Sequence, residues 1–276
     1  MQYFKIIASE FLHVFGALWL VVEATSFFIS NEASMKVRSF WWLFLALGFL
    51  ISASRLIPKR QFQFKLNNRD ITIELVIGDI FKQKGPIIVG SNTAFVTSNE
   101  IIAPSSIQGL FSSKYFANVR AITDQIKSQV GEGTQPLGTT VAVRSSEKTG
   151  YFCAVAEVND ARVAKSNIEN IRVSLAELWN YLSSNAEKEI LNIPIIGSGF
   201  SRVSASREEL AKEIIRSFIA STSDHTFCDG IRLVVHPHDI KKYNINIERL
   251  VKFIEYSCIY SIIPPGLGGA VGTAES

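Results

Sequence analysis

Two long apolar segments at the start of the chain constrain its fold more than any other feature. Residues 6–29 read IIASEFLHVFGALWLVVEATSFFI and residues 39–57 read SFWWLFLALGFLISASRLI, with the polar connection SNEASMKVR between them. A helix needs about 20 apolar residues to cross a hydrocarbon core of about 30 Å. The segments therefore predict a two-helix transmembrane hairpin over residues 1–58, and the second segment gives the clearer signal.

The distribution of basic residues predicts how this hairpin is oriented. Lysine and arginine are enriched on the cytoplasmic side of membrane proteins. The connection between the segments holds Lys36 and Arg38, whereas a larger group flanks the hairpin: Lys5, Arg55, Lys59, Arg60 and Lys65. We therefore expect a multi-pass protein of the cell membrane, with the large C-terminal part in the cytoplasm. A cleaved signal peptide is the alternative for the first segment, but its apolar core is longer than the usual length of about 7–15 residues.

Two carboxylates lie within the first apolar segment. A charged side chain in hydrocarbon costs several kcal/mol unless it is paired or hydrated, so Glu10 and Glu23 are candidates for membrane gating. Glu10 lies near the cytoplasmic end, where it can reach water. At about 100° per residue the two carboxylates are roughly 220° apart around a helix, so they do not form one polar stripe.

The composition of the chain excludes several other classes of protein. The 276 residues are 47% hydrophobic and 19% charged, which is too apolar for a disordered chain. The net charge of +3 is too small to indicate a nucleic-acid partner. Cys153, Cys228 and Cys258 form no CxxC pair, and the histidines have no metal-ligand spacing with them. We therefore expect neither a disulfide framework nor a metal site.

Residues 59–263 alternate between strand and helix patterns, which predicts an α/β domain with a parallel or mixed sheet covered by helices on both faces. QFQFKL and ITIELVIGDI predict a strand pair, and a helix is expected over residues 106–129. Ser166 with Glu169, and Ser206 with Glu209, predict capping boxes at the starts of two later helices. Residues 264–276 are rich in glycine and proline and predict a flexible tail.

Three loops at predicted strand ends have the composition of a nucleotide diphosphate site. They are Gly78-Asp79-Ile80, Ser91-Asn92-Thr93, and the segment GSGFSR at residues 197–202. Small residues let backbone N–H groups approach phosphate oxygens, and a carboxylate can accept a hydrogen bond from an adenine amino group. Each loop alone is a common turn, so their order and spacing carry the signal.

This order of loops resembles the macro domain over about residues 70–236, most closely at IPIIGSGF. The resemblance implies that the sheet is mixed. It also implies that Asp79 contacts adenine, that Ile80 supplies a backbone contact, and that residues 197–201 surround the diphosphate and the distal ribose. The ligand-binding residues implied are Asp79, Ile80, Ser91, Asn92, Thr93, Ser105, Ser106, Ile107, Gln108, Gly109, Gly197, Ser198, Gly199, Phe200, Ser201 and Arg202.

Departures from the family pattern argue against catalysis. Catalytic macro domains carry an asparagine pair and a run of glycines, whereas this chain has Asn92 alone and the sequence SSIQG at residues 105–109. Arg202 stands where a glycine is common. We therefore expect no catalytic residue and a binding protein, with a membrane-anchored hydrolase of ADP-ribose derivatives as the alternative. A third alternative is a structural anchor with a vestigial fold. His225, His236 and His238 are interpreted as surface or strand-end residues.

The whole architecture resembles the membrane-anchored ThsA effectors of the bacterial Thoeris antiphage system. The resemblance implies that the macro-like domain binds an ADP-ribose-derived second messenger made by a TIR-domain partner. It also implies that the hairpins of a homo-oligomer then assemble and disrupt the membrane, causing cell death or growth arrest. The expected regulatory ligand is an ADP-ribose conjugate, with histidine as one candidate for the conjugated group, and no cofactor is expected.

Overall fold

The computed structural model describes residues 2–28, 30–55, 59–67, 69–97, 102–158, 164–197, 203–223 and 226–261. The predicted tail at residues 264–276 lies outside these ranges. The chain divides into two compact units, residues 1–59 and residues 60–276.

The first unit contains the helices α1 (Gln2–Ser26), α2 (Asn31–Ser39) and α3 (Trp41–Arg55). Helices α1 and α3 pack together, with the rings of Trp19 and Phe44 edge to face at 6.5 Å. The polar connection that the sequence suggested between two helices is itself the helix α2. It forms because Ser30 caps its N-terminus, and because Glu32 in its first turn and Lys36 and Arg38 in its last turn complement the helix dipole.

The apolar side chains of the first unit are largely exposed. Among its described residues, Val14 and Val22 are the buried hydrophobic side chains. The exposed large hydrophobic side chains are Leu12, Leu20, Val21, Phe27, Phe28, Met35, Phe40, Trp41, Trp42, Leu43, Leu47, Phe49 and Leu50. So large an apolar surface is unusual for a protein unit in water and marks a site of interaction.

No single helix in the described ranges is both long and apolar enough to cross a membrane. The helices Asn31–Ser39 and Trp41–Ser52 meet that test only as a pair, with a bend of 52° between them.

The second unit is built on a mixed sheet, as the sequence predicted, and its described residues form eight strands. The order is β1-β2-β8-β7-β3-β5-β4, and β6 pairs with β5. Strands β2, β8, β7, β3 and β5 run parallel to one another, whereas β1, β4 and β6 are antiparallel to their neighbours. The strands are β1 (Gln61–Lys65), β2 (Thr72–Ile77), β3 (Ile87–Asn92), β4 (Thr140–Arg144), β5 (Thr149–Val158), β6 (Ala164–Lys165), β7 (Ile190–Pro194) and β8 (Gly230–Val235).

Helices cover both faces of this sheet, and a separate hydrophobic cluster lies between the helices and the sheet on each face. On one face, Trp179 and Phe218 pack with ring centroids 5.4 Å apart. On the other face, Phe111 packs on Phe152 at 5.5 Å. The helices are α4 (Ile107–Tyr115), α5 (Val119–Val130), α6 (Ile168–Asn185), α7 (Arg207–Ser221), α8 (Pro237–Lys242) and α9 (Ile247–Ile259), and a 3₁₀ turn covers Ile80–Lys82.

The single helix predicted over residues 106–129 was wrong, because the chain forms α4 and α5 there. Phe116 has an extended backbone, with φ −134° and ψ 128°, which ends α4. Asn118 then caps α5, since its side-chain oxygen accepts a hydrogen bond from Arg120 N at 2.8 Å. Asn118, a residue type that favours helix N-caps, thus marks the start of a second helix within the predicted one.

One of the two predicted capping boxes is confirmed. Ser206 and Glu209 exchange hydrogen bonds between side chain and backbone at the start of α7, at 2.7 and 3.2 Å. The box predicted from Ser166 was wrong, because Ser166 Oγ donates to Val155 O at 2.6 Å. Asn167 caps α6 instead, by accepting a hydrogen bond from Asn170 N.

Candidate functional site

A cavity of about 1660 Å³ lies at the carboxyl ends of the parallel strands in the second unit. Four neighbouring strands each contribute the segment that follows them, which is where ligands bind in sheets of this kind. Asp79 follows β2, His236 follows β8, Ile195 follows β7, and Ser91 and Asn92 end β3. The sheet therefore brings together chain segments that are far apart in sequence.

The segment after β2 holds Asp79 in a fixed position. Asp79 caps the 3₁₀ turn, because its Oδ1 accepts a hydrogen bond from Phe81 N at 2.9 Å. Its Oδ2 has no hydrogen-bond partner among the described residues, so one carboxylate oxygen is available to a ligand. Asp79 and Ile80 both line the cavity, as the predicted ligand contacts require.

The end of β3 contributes two residues with different roles. Asn92 Oδ1 accepts hydrogen bonds from Ala94 N and Val96 N, at 3.1 and 3.2 Å, so this oxygen shapes the turn. Ser91 is only 6% exposed. Its Oγ is the buried side-chain polar atom that lacks a hydrogen-bond partner within the described ranges. A buried hydroxyl without a partner costs about 1–3 kcal/mol, which a ligand hydrogen bond would recover.

The start of α4 forms a further wall of the cavity. Ser105, Ser106, Ile107 and Gln108 line it. Ser106 Oγ accepts a hydrogen bond from Gly109 N at 3.0 Å and caps the helix. Gln108 Nε2 donates to Val96 O at 2.7 Å, which ties this helix to the segment after β3.

Two predicted ligand residues do not line the cavity. The backbone N–H of Thr93 donates to Ala156 O at 2.9 Å, and its hydroxyl accepts from Val158 N, so Thr93 holds the turn against β5. A Cβ at Gly109 would lie 2.5 Å from Ala103 O, so Gly109 allows close backbone packing. Both residues therefore stabilise the backbone next to the cavity rather than contact its interior.

The segment after β7 is described in part. Gly197 lines the cavity with φ +75°, a left-handed backbone that favours glycine. The remaining predicted residues of this loop, Ser198, Gly199, Phe200, Ser201 and Arg202, lie outside the described residues, as does His225.

The sequence did not predict a group of charged and aromatic residues on the cavity wall. Arg207 begins α7, and His236 to Tyr243 form the segment directly after β8. The Arg207 guanidinium carbon lies 4.1 Å from the ring centroid of Tyr243. The motif HPHDIKKY after an apolar strand could have indicated this wall, because polar residues follow the other strands at the same edge. The missed lining residues are Phe81, Lys114, Arg207, His236, His238, Asp239, Lys242 and Tyr243.

The titratable groups around the cavity suit binding by charge and hydrogen bonds. Hydrogen bonding to Arg207, and then to Lys242, lowers the pKa of the Tyr243 hydroxyl. Burial raises the pKa of Tyr115, and the carboxylates of Glu147 and Asp79 add to this effect. Within the described ranges no group of three or more His, Cys, Asp or Glu side chains could hold a metal ion.

The two predicted gating carboxylates lie in α1 of the first unit. Glu23 Oε2 pairs with Arg38 Nη2 of α2 at 2.6 Å, and both side chains are about half exposed. The side chain of Glu10 lies outside the described residues.

Comparison with known proteins agrees with this geometry. The profile of the family described as "Thoeris protein ThsA, Macro domain" matches residues 73–236. No curated protein matches the sequence.

Solved structures of macrodomains share the fold of the second unit. A point mutant of the Oceanobacillus iheyensis macrodomain superposes with a TM-score of 0.53 at 16% identity, covering 72% of this chain and 100% of that one. Another mutant of the same macrodomain, solved with ADPR, gives a TM-score of 0.50 at 16% identity, covering 70% of this chain and 99% of that one. At this identity the likeness concerns the fold alone.

Proposed function

Because this chain belongs to the Thoeris ThsA macro domain family, we propose that it is a ligand-sensing effector whose cavity binds an ADP-ribose conjugate. The observation that carries the proposal is the convergence of Asp79, Ser91 and the start of α4 on one cavity of about 1660 Å³. This volume exceeds the range of about 300–1,000 Å³ that is common for small-molecule sites. The cavity therefore has room for an ADP-ribose conjugate, and histidine is one candidate for the conjugated group.

The same site favours binding over hydrolysis. A hydrolase needs a group that activates water, and such a group must be free to accept a proton or a hydrogen bond from it. The Asn92 side-chain oxygen is instead held by two backbone N–H groups. We therefore propose a sensor, for which no cofactor is expected.

Thermal unfolding of the detergent-solubilised full chain tests ligand binding. ADP-ribose conjugates from a TIR-domain reaction should stabilise the protein by about 2.7 kcal/mol at 100 times the dissociation constant. Asp79→Asn should reduce this stabilisation, because it removes the negative charge while its amide oxygen can still cap Phe81 N. Recovery of free ADP-ribose at enzymatic turnover would favour the hydrolase instead.

We further propose that the first unit inserts into the cell membrane as a transmembrane hairpin. The exposed apolar side chains of α1 and α3 support this proposal, since hydrocarbon would cover them. The basic residues that flank the unit support an orientation with the sensor in the cytoplasm. Ligand binding would then assemble the hairpins of several chains, disrupt the membrane and arrest growth.

A further inference from the structure

One wall of the cavity carries two cations close to the same aromatic ring. The guanidinium carbon of Arg207 lies 4.1 Å from the ring centroid of Tyr243. The Lys242 ammonium lies 5.1 Å from the same centroid. All three residues line the cavity, although none belongs to the loops that the family resemblance identified.

The two cations of this wall form no ion pair within the described ranges, although the carboxylate of Asp239 also lines the cavity. The carboxylates that follow Arg207 in sequence are engaged elsewhere: Glu208 Oε1 accepts from Asn246 N at 2.7 Å, and Glu209 Oε2 accepts from Ser206 N at 2.7 Å. Glu208 also approaches Arg249. Among the described residues, neither Arg207 nor Lys242 forms an ion pair.

A hydrogen bond links the two chain segments that carry this wall. Asn244, directly after Tyr243, has φ +50°, a left-handed backbone that asparagine adopts more readily than most residues and that ends α8 in a turn. The hydrogen bond from Asn246 N to Glu208 then ties the segment after α8 to the start of α7. This tie keeps the end of α8 beside the start of α7, where Tyr243 contacts Arg207 in the absence of ligand.

The sheet order locates this wall relative to the ligand. Strand β8 lies between β2 and β7, so the segment after β8 lies between Asp79 and Gly197. In the proposed function, adenine lies at Asp79 and the diphosphate at the segment after β7. The intermediate position faces the adenosine ribose and the phosphate attached to it.

We propose that Arg207, Tyr243 and Lys242 form a phosphate subsite at the adenosine half of the ligand. Guanidinium and ammonium groups are the usual partners of phosphate, and stacking on an aromatic ring pre-orients the guanidinium. The phosphate bound there is either the adenosine-side phosphate of the diphosphate or a phosphate ester on the adenosine ribose. This inference rests on the proposed function, because adenosine binding sets the position of the ligand.

Calorimetric titration of the detergent-solubilised full chain tests the subsite with adenosine, AMP, ADP-ribose and ADP-ribose 2′-phosphate. Arg207→Gln should weaken binding of AMP and ADP-ribose about ten-fold or more, and leave adenosine unchanged, if the diphosphate is bound. If the ribose ester is bound, the wild type should prefer ADP-ribose 2′-phosphate over ADP-ribose about ten-fold, and Arg207→Gln should abolish this preference.

Matched variants separate charge from structure. Lys242→Gln should act in the same direction as Arg207→Gln, whereas Lys241→Gln should bind as the wild type, because Lys241 does not line the cavity. Arg207→Lys should restore part of the affinity. The subsite is refuted if Arg207→Gln binds every phosphate-bearing ligand as the wild type does, or if it weakens adenosine as much as AMP.

A failure of the proposed function would be visible separately. If the wild type binds none of the adenosine ligands, inorganic pyrophosphate serves as the probe in thermal unfolding. Stabilisation by pyrophosphate that Arg207→Gln removes would support the subsite, and equal stabilisation of both proteins, or of neither, would overturn it.

Discussion

Glu74 and Arg232 form an ion pair inside the sheet, with 2.6 Å between Glu74 Oε2 and Arg232 Nε on the neighbouring strands β2 and β8. Their side chains are 5% and 13% exposed. Arg232 also donates to Asn192 Oδ1 and to Lys84 O, at 3.0 and 3.2 Å. Asn192 Nδ2 donates to Lys84 O and Pro86 O. This network holds the connection from β2 to β3, which contains the ligand-site residue Asp79.

Removal of one partner of this pair should strongly destabilise the second unit. Arg232→Met leaves the Glu74 carboxylate buried without its partner, which typically costs about 3–5 kcal/mol. Glu74→Leu combined with Arg232→Met should recover most of that loss, because no buried charge remains. Chemical denaturation of the single and double variants measures the difference. Asp70→Asn is the control, since its pair with Lys65 is exposed and worth at most about 1 kcal/mol.

This network also shows why the buried ion pair could not be predicted from the sequence. The strands themselves were predictable, because runs such as ITIELVIGDI are apolar and end in turn residues. The role of Glu74 within such a run was not, because its partner Arg232 lies 158 residues away. The partner of a buried carboxylate within a strand can be identified only once the order of the strands in the sheet is known.

The candidate site divides in the same way. Asp79 and Ser91 were predictable, because loops at the carboxyl ends of parallel strands meet at one edge of the sheet. The contact between Arg207 and Tyr243 was not, because it joins the start of α7 to the end of α8, a short helix that the periodicity did not indicate. The local sequence therefore predicted which strand ends line the site. Which helix ends also line it depends on tertiary packing, which the local sequence does not show.

Ser91→Ala should weaken ligand binding without destabilising the free protein. The Ser91 hydroxyl has no partner within the described ranges, so its loss removes a buried unsatisfied group. If a ligand hydrogen bond normally satisfies it, affinity should fall by about 1 kcal/mol, or roughly five-fold. Thermal unfolding with and without ligand measures both effects. Ser174→Ala is the contrasting variant: its buried hydroxyl in α6 donates to Ala154 O of β5 at 2.9 Å, so stability should fall instead.

Gly109→Ala should destabilise the protein, although alanine is the better helix former by about 1 kcal/mol. The added Cβ would lie 2.5 Å from the backbone oxygen of Ala103, which cannot move aside as a flexible side chain can. The expected loss is about 1–3 kcal/mol, together with weaker ligand binding as the wall at Ser105 shifts. Gly78→Ala is the control, because its nearest neighbour would lie at 3.7 Å. Equal stability of the two variants in denaturant titrations would contradict the crowding at Gly109.

The three cysteines should resist labelling in the folded protein, which leaves introduced cysteines as clean reporters of topology. Burial raises the pKa of Cys153 and Cys228 to about 12 and that of Cys258 to about 11, so at pH 8 the thiols are protonated. Membrane-impermeant maleimide should label Glu32→Cys in intact cells, and Asp70→Cys only after permeabilisation. The reverse pattern would place the sensor outside the cell.

The last prediction joins the two units through Glu23. In the proposed function, a hairpin of two helices per chain is too small to enclose a water path, so membrane damage would require several chains. Ligand could drive their assembly only by binding the assembled state more tightly. Glu23 forms an ion pair with Arg38, whose Nη2 also donates a hydrogen bond to Ser26 Oγ at 3.3 Å. In the proposed hairpin the Glu23 carboxylate would therefore already have a partner. We propose that this pair, with Glu10 as the second candidate, supplies the gating charge.

Glu23→Leu should therefore reduce signal-dependent dye release from liposomes while leaving ligand affinity unchanged, because Arg38 loses its partner far in sequence from the cavity residues. Arg38→Leu should act in the same direction, and Glu32→Leu, which alters an exposed carboxylate of α2 outside this pair, should not. Release from wild-type liposomes without any signal would refute ligand gating. Undiminished release by Glu23→Leu would instead remove Glu23 from the mechanism and leave the sensor proposal standing, since the two claims rest on different units of the chain.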